Sequence, residues 1–227
     1  MFVTGHRGAG FLEPENTIRS INKALELGVD QIEIDVHLTK DDRVVVIHDT
    51  SVDRTTDGHG YVSDFSLDEI KDLDAGEGER IPILEEVIKL TKGRAILQIE
   101  LKGLDVEEET VKIVEKYDAL YGVVLTSFRH KAVKNVKKIN PIIETGILFV
   151  CQPVDVVQLA NSAHADAIHP NINYVDKEMI NQARLHDLKV RVWNADDEKT
   201  LSKMISLGVD AIGTNRPDIL LRMLNRN

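Results

Sequence analysis

Short apolar runs alternate with longer segments in which apolar residues recur at every third or fourth position. The short runs predict β-strands, and the longer amphipathic segments predict α-helices. In residues 15–27, for example, Ile18, Ile21 and Leu25 recur at helical spacing. The predicted strands are residues 2–5, 31–36, 95–101, 122–126, 143–148, 166–169, 189–193 and 210–213. The predicted helices are residues 15–27, 82–91, 105–117, 129–138, 153–161, 176–186, 197–206 and 216–225.

The order of these elements predicts one architecture. Each strand is followed by a helix, and the segment Leu-Gly-Val-Asp leads from a helix into a strand twice, at residues 27–30 and 207–210. Gly28 and Gly208 stand where a left-handed cap would end the preceding helix. Eight regular βα units favour closure into a (β/α)8 TIM barrel of the α/β class over an open sheet.

One irregular stretch, residues 37–81, follows the second predicted strand. It contains an apolar run at residues 44–47, a turn-rich segment at residues 53–60 and a predicted short helix at residues 67–73. A long insertion within a compact domain is usually functional, and this one lies on the rim where barrel enzymes carry their active sites. We therefore expect a single domain over residues 1–227, with a short insertion after strand 2.

Composition narrows the class of function. The chain has 42% hydrophobic and 29% charged residues, which is typical of a soluble globular protein. Its net charge of −10 argues against binding to nucleic acid, and it has no apolar run long enough for integral membrane association. The single cysteine, Cys151, fits a reducing compartment, so we expect a cytoplasmic protein. The sequence leaves open whether the chain forms a homo-oligomer.

Acidic side chains stand on the predicted inward faces of two strands. Alternate residues of a strand face the same way, so Glu33 and Asp35 share one face, and Glu100 shares another with Lys102. The apolar positions between them should pack outward on the helices, which turns the charged faces into the barrel. Three carboxylates would repel one another there unless a cation joined them, and oxygen ligands suit Mg²⁺ or Ca²⁺. The alternative is a salt bridge from Lys102 to a glutamate, with no metal.

Two histidines, His6 and His48, follow apolar runs at the predicted rim. The ordinary pKa of histidine lies near neutrality, so one ring could deprotonate a nucleophile while the other protonates a leaving alkoxide beside a phosphate. A structural hydrogen-bonding role is the alternative for each. We assign that structural role to the other six histidines, although the sequence does not define the role of His169.

Two more residues are candidates for binding a substrate. Arg7 can offer a fork of hydrogen-bond donors to phosphate oxygens. Trp193, the only tryptophan, ends the seventh predicted strand and could pack either against the apolar part of a small substrate or in the core.

Taken in order, the motifs resemble those of the glycerophosphodiester phosphodiesterase family, also called glycerophosphoryl diester phosphodiesterases. The resemblance covers nearly the whole chain. The matching motifs are His6-Arg7-Gly8, Pro14-Glu15-Asn16-Thr17, Glu33-Ile34-Asp35-Val36, His48-Asp49, residues 53–58, residues 81–86, Glu100-Leu101-Lys102, Ser127-Phe128, Trp193 and Thr214-Asn215-Arg216-Pro217. Each motif alone is weak, whereas the ordered series is specific.

The resemblance implies a (β/α)8 fold and metal-dependent hydrolysis of glycerophosphodiesters to sn-glycerol 3-phosphate and an alcohol, as part of glycerophospholipid breakdown. The cofactor would be one divalent cation, Mg²⁺ or Ca²⁺, and the partner a small-molecule glycerophosphodiester. Carried over position by position, the implied site residues are the metal ligands Glu33, Asp35 and Glu100; the general acid–base pair His6 and His48; and the substrate-binding residues Arg7, Lys102 and Trp193.

The chain departs from the family pattern at two places. After the tryptophan the family often has Thr, then any residue, then Asn, whereas this chain has Asn194, Ala195 and Asp196. Asn215 stands where the family commonly has Asp. We expect these differences to affect the detail of the pocket and not catalysis.

Three other functions compete with this interpretation. A barrel phospholipase similar to sphingomyelinase D or to phosphatidylinositol-specific phospholipase C would act on lipid surfaces, but this chain has no evident apolar anchor. A zinc amidohydrolase is disfavoured because the first predicted strand lacks His-x-His. A non-enzymatic metal- or phosphate-binding barrel should lack one acid–base partner, and both histidines are present.

Overall fold

Eight parallel strands close into a barrel in the computed structural model of the chain, which describes residues 1–226. The eight barrel strands are β1 (Phe2–Gly5), β2 (Gln31–Leu38), β4 (Ile96–Leu101), β5 (Val123–Ser127), β6 (Glu144–Phe149), β7 (Ala167–Pro170), β8 (Lys189–Val192) and β9 (Ala211–Thr214), and a ninth strand, β3 (Val44–Val46), lies at the end of β2. Strand β1 pairs in parallel with both β2 and β9, which closes the ring. The predicted (β/α)8 barrel is confirmed.

Nine helices accompany the strands within residues 1–226. They are α1 (Ile18–Leu27), α2 (Leu67–Lys71), α3 (Leu84–Thr91), α4 (Glu107–Lys116), α5 (His130–Ile139), α6 (Val156–Ala163), α7 (Lys177–Leu185), α8 (Glu198–Leu207) and α9 (Pro217–Met223). Across the same residues, none of the helices has both the length and the apolar character required to cross a membrane.

Helix α1 begins later than the predicted start at residue 15. Thr17 caps the helix, because its side chain accepts a hydrogen bond from the Ser20 backbone while the Ser20 hydroxyl accepts one from the Thr17 backbone. Pro14, Glu15 and Asn16 therefore belong to the loop that follows β1. Gly28 ends the helix with φ of 77°, which confirms the predicted left-handed cap.

The segment between β2 and α3 is more ordered than the irregular stretch that we predicted. Strand β2 continues to Leu38, and β3 pairs with it in antiparallel fashion, with Val46 opposite Val36. A small apolar cluster packs within this segment and consists of Val45, Ile47, Val52, Val62, Ile70, Ala75 and Ile81. This cluster gives the chain that carries His48 a core of its own.

The two faces of the barrel strands differ as their alternation predicts. Ile32, Ile34 and Ile99 are fully buried in the apolar layer between strands and helices. Glu33 and Glu100 occupy the alternate positions and line a pocket inside the barrel. Burying these carboxyl groups costs free energy unless they have partners, so their position inside the barrel indicates a functional site.

Gly146 on β6 lies directly against the ring of His169 on β7. A Cβ atom at residue 146 would come within 2.4 Å of His169 Nε2, and His169 is itself only 2% exposed. We expect Gly146→Ala to lower the free energy of unfolding by about 1–3 kcal/mol, because the added methyl group would force the buried ring out of its position. Urea denaturation measures the change.

Gly122→Ala is the matched control for that substitution. Its added Cβ would meet no atom closer than the Ala119 carbonyl oxygen at 3.6 Å. We expect this control to change the free energy of unfolding by less than about 1 kcal/mol. Equal destabilisation by the two variants would contradict the packing argument.

Candidate active site

The register between β2 and β4 brings the three predicted metal ligands together. Asp35 lies opposite Glu100 across the two strands, and Glu33 is two residues before Asp35 on the same face. Carboxylate oxygens of all three residues lie within 4.8 Å of one another, and all three side chains are buried. The structure therefore forms an oxygen-only cluster, although Glu100 lies 65 positions after Asp35 in the sequence.

Electrostatics make this cluster unfavourable without a further cation. Burial first, and then the charge of Asp35, raise the pKa of Glu33 well above its usual value and the pKa of Glu100 to about 7. Burial also opposes ionisation of Asp35, but Lys102 and Arg7 outweigh it and lower the pKa of that carboxyl. Three ionised carboxylates carry three negative charges, whereas Lys102 and Arg7 supply only two positive charges.

Unpaired oxygens in the cluster fit a hard divalent ion. Among residues 1–226, Glu33 Oε1 and Asp35 Oδ1 are buried and have no hydrogen-bond partner. Buried acceptors without donors cost free energy, and an oxygen-only ligand set is the set that Mg²⁺ and Ca²⁺ prefer. The residues present fit such a cation.

The salt bridge considered as the alternative to a metal is also present. Lys102 Nζ lies 2.9 Å from Glu100 Oε1 and 3.6 Å from Asp35 Oδ1. Arg7 Nε lies 3.5 Å from Asp35 Oδ2, and the Arg7 backbone N donates to Glu33 Oε2 at 3.0 Å. These contacts hold the carboxylates in place, yet they leave one oxygen of Glu33 without a partner.

Asn16 orients Asp35 from the loop after β1. Its side-chain Nδ2 donates to Asp35 Oδ2 at 2.9 Å, and its Oδ1 accepts from the Asp35 backbone N at 3.3 Å. The residue reaches this position with a left-handed backbone, φ of 58°, just before the cap of α1. The sequence places Asn16 only within a family motif, because its neighbouring residues do not indicate that its amide contacts a residue on β2.

His48 is held by a carboxylate. Its Nδ1 lies 2.5 Å from Asp49 Oδ1, and Arg54 Nε donates to the other Asp49 oxygen at 2.6 Å. The Arg54 hydrogen bond, and after it the one with His48, outweigh burial and lower the pKa of Asp49 to about 2. Buried His37 contacts the His48 backbone carbonyl through Nε2 at 3.0 Å, so one of the histidines read as structural supports a candidate catalytic one.

His6 has neutral partners at Nδ1 instead. Its Nδ1 lies 2.8 Å from Asn215 Oδ1 and 3.0 Å from Asn194 Nδ2, while Nε2 lies 3.8 Å from Glu33 Oε2. Burial, and then the positive charge of Arg7, lower the pKa of His6 to about 4. The ring is therefore neutral at pH 7.

Trp193 forms part of the pocket wall. Its ring meets Phe128 edge-on, with the ring centroids 5.3 Å apart, and its Nε1 donates to the His169 carbonyl at 2.8 Å. Lys102 Nζ lies 5.5 Å from the centre of the Phe128 ring. Of the two positions considered for Trp193, the structure favours the pocket over the core.

One pocket collects these side chains at the carboxyl ends of the strands. Seven of the eight predicted site residues line it, and Asp35 lies fully buried beneath them. His169 and Arg191 line it as well; burial, followed by the charge of Arg191, lowers the pKa of His169 well below its usual value. The site thus has acids, bases and cationic donors around one cavity.

Comparison with known proteins decides the family. The model of the glycerophosphoryl diester phosphodiesterase family matches residues 6–219. The chain belongs to this family. A glycerophosphodiester phosphodiesterase of Caldanaerobacter subterraneus subsp. tengcongensis is 39% identical over 237 residues, which cover 99% of this chain and 98% of that protein. A glycerophosphodiester phosphodiesterase of Bacillus altitudinis is 34% identical, with 95% of each chain covered.

The fold agrees with solved structures of the same family. A phosphodiesterase of Oleispira antarctica, solved in complex with the product sn-glycerol-3-phosphate, has a TM-score of 0.92 and 28% identity to this chain. The comparison covers 99% of this chain and 97% of that one. As a glycerophosphoryl diester phosphodiesterase family member, the protein is a phosphoric diester hydrolase, and the amidohydrolase and non-enzymatic interpretations fall away.

A second group of side chains holds the predicted site residues in place. The sequence predicted the residues that face the cavity but gave no role to these supporting residues, which are Glu15, Asn16, His37, Asp49, Arg54, Asn194, Asp196 and Asn215. Several of these lie within the quoted family motifs or at the two departures from them. That position in a motif was the only sequence signal available for them.

Proposed function

We propose that this protein hydrolyses glycerophosphodiesters to sn-glycerol 3-phosphate and an alcohol, using a divalent cation and two histidines. The observation that carries the proposal is one pocket that combines a buried carboxylate trio with His6 and His48. The product named in the Oleispira antarctica structure supports the same chemistry. Glycerophosphocholine and glycerophosphoethanolamine are the substrates we propose, as part of glycerophospholipid breakdown.

The cation would be held by Glu33, Asp35 and Glu100. When bound, Mg²⁺ or Ca²⁺ neutralises charge on the phosphate and makes the phosphorus a better electrophile. Arg7 and Lys102 already lie against the trio through Asp35, so their remaining N–H groups can hold the phosphate oxygens next to it. Trp193 offers an apolar surface to the carbon atoms of the substrate.

His6 and His48 would move the two protons that the reaction requires. One ring takes a proton from the attacking hydroxyl or water, and the other gives a proton to the leaving alkoxide. Their Nδ1 atoms meet different groups: His48 Nδ1 contacts the Asp49 carboxylate, whereas His6 Nδ1 contacts two neutral amides. The two rings are therefore held in place by different partners.

A panel of diesters tests the function directly. The purified protein is incubated with glycerophosphocholine, glycerophosphoethanolamine or lipid vesicles, each with Mg²⁺ or Ca²⁺, and release of sn-glycerol 3-phosphate is measured. We expect release from the water-soluble diesters. Cleavage of vesicle lipid with no release from the soluble diesters would instead favour the phospholipase interpretation. The cytoplasmic location and the single domain stay predictions from the sequence, which leaves the oligomeric state open.

In the metal-free protein Glu100 should contribute stability that is lost as the pH rises. The folded-state pKa of Glu100 is about 7, above the ordinary value of about 4.3, so the folded state binds the proton more tightly than the unfolded state does. This contribution is fully present below the ordinary pKa and is lost as the pH rises through 7. Burial lowers the pKa values of His6, His37 and His169, which therefore contribute with the opposite sign. Urea denaturation of chelated wild-type and Glu100→Gln protein at pH 5 and pH 8 measures the Glu100 contribution as a difference, and added divalent cation should restore stability most at pH 8.

Glu100→Gln is the informative variant for this pH dependence, and Glu108→Gln, at an exposed position on α4, is its control. We expect the first substitution to raise the stability at pH 8 relative to that at pH 5, compared with the wild type, and the second to leave this difference unchanged. Identical pH dependence in all three proteins would remove Glu100 as the cause.

A further inference from the structure

We infer that Asn215 and Asp196 form a positioning pair that keeps the ring proton of His6 on Nδ1 and leaves Nε2 free to accept a proton in the pocket. The inference rests on the proposed function, because it assigns the ring nitrogen through which His6 would transfer a proton.

Asp196 fixes the orientation of the Asn215 amide. Its Oδ2 accepts from Asn215 Nδ2 at 2.9 Å, and its Oδ1 accepts from the Asn215 backbone N at 2.7 Å and from the Thr214 hydroxyl at 3.1 Å. A carboxylate offers only acceptors, so the amide must turn its NH₂ group toward Asp196. The carbonyl oxygen of the same amide then faces His6.

That oxygen determines where the His6 proton lies. Asn215 Oδ1 is 2.8 Å from His6 Nδ1, a hydrogen-bond distance that needs a proton between the two atoms. Because an amide oxygen has no proton to give, Nδ1 carries it. A neutral imidazole with its proton on Nδ1 has its lone pair on Nε2.

Asn194 also lies at His6 Nδ1, but it does not set the tautomer. Its Nδ2 is 3.0 Å from Nδ1, and its Oδ1 is buried with no hydrogen-bond partner among residues 1–226. A half-turn of this amide exchanges the two atoms and brings Oδ1 toward the Nδ1 proton. Asn215 cannot turn in the same way, because Asp196 holds its NH₂ group.

Exchanging the acid and the amide of this hydrogen-bonded pair should preserve its function. A carboxylate at position 215 would also accept the Nδ1 proton, and an amide at position 196 could still donate to it, so the exchanged pair should hold the same tautomer.

Nitrogen NMR of histidine-labelled protein tests the tautomer without an activity assay. We expect a protonated, pyrrole-type resonance for His6 Nδ1 and an unprotonated, pyridine-type resonance for Nε2, assigned by their loss in His6→Gln. A proton on Nε2 in the wild-type protein would overturn the inference. Because the spectrum needs no substrate, a failure of the proposed function would leave this result readable.

Three variants test the pair. We expect Asp196→Asn alone, and Asn215→Asp alone, to lower kcat by about 10- to 100-fold with little change in KM, the usual cost of losing a positioning contact. The double exchange, Asn215→Asp with Asp196→Asn, should recover most of the lost turnover and keep the Nδ1 proton. Asn161→Asp, the same change at an exposed position, is the control.

A purely structural role predicts a different result. In that case turnover would fall only as the free energy of unfolding falls, and the double exchange would show no recovery beyond its stability. Either finding, or an unchanged tautomer in Asp196→Asn at reduced kcat, would overturn the positioning role.

Discussion

Alanine in place of His6 or of His48 is expected to lower kcat by about 10²- to 10⁴-fold, the usual size of a general acid or base effect. His6→Ala removes the ring whose Nε2 faces Glu33, and His48→Ala removes the ring that Asp49 and Arg54 hold in place. Each variant would leave one proton transfer to water. Steady-state release of sn-glycerol 3-phosphate measures the loss.

The control for these variants is His59→Ala. His59 lies in the same inserted segment as His48 and also contacts an aspartate, Asp53, but its side chain is 88% exposed. Its replacement should leave turnover unchanged. The free energy of unfolding must be measured beside kcat, because His6 is part-buried. Near-normal turnover in a folded His6→Ala or His48→Ala protein would remove that histidine from the mechanism.

Removal of the divalent cation is expected to abolish turnover, and Glu33→Gln should lower it by at least about 10²-fold even at saturating cation. A cation that stabilises transition-state charge contributes several kcal/mol, and 1.36 kcal/mol corresponds to about tenfold in rate. Glu33 contributes a buried oxygen that has no other partner among residues 1–226. Activity after exhaustive chelation and after return of Mg²⁺ or Ca²⁺ measures the first effect.

Binding of the cation gives a second measurement that does not depend on turnover. Calorimetric titration with Mg²⁺ or Ca²⁺ should show one site in the wild-type protein and weaker binding in Glu33→Gln, with Glu108→Gln as the exposed control. Full activity in protein shown to be free of metal would contradict the proposal. In that case the contacts of the trio with Lys102 and Arg7 would be its sole function.

The fold was predictable because periodicity is a local property. The alternation along β2 already separates Ile32 and Ile34 from Glu33 and Asp35, and the same rule applies to Glu100 on β4. Counting eight such units is enough to favour a closed barrel, and closure brings the strand ends to one rim. The short strand β3 was missed, since an antiparallel pairing with the end of β2 leaves no separate periodic signal.

The amino-acid sequence by itself determined the barrel, its inward carboxylates and the histidines at its rim, because each depends on neighbours a few residues away. Only the tertiary structure showed which distant side chains hold these carboxylates and histidines in place. His6 meets Asn215 across 209 positions, since β1 pairs with β9 only when the barrel closes. That closure sets an amide against His6 Nδ1, whereas the carboxylate that meets His48 belongs to the next residue in the sequence, Asp49. Only the tertiary structure could therefore show what determines the position of the His6 ring proton.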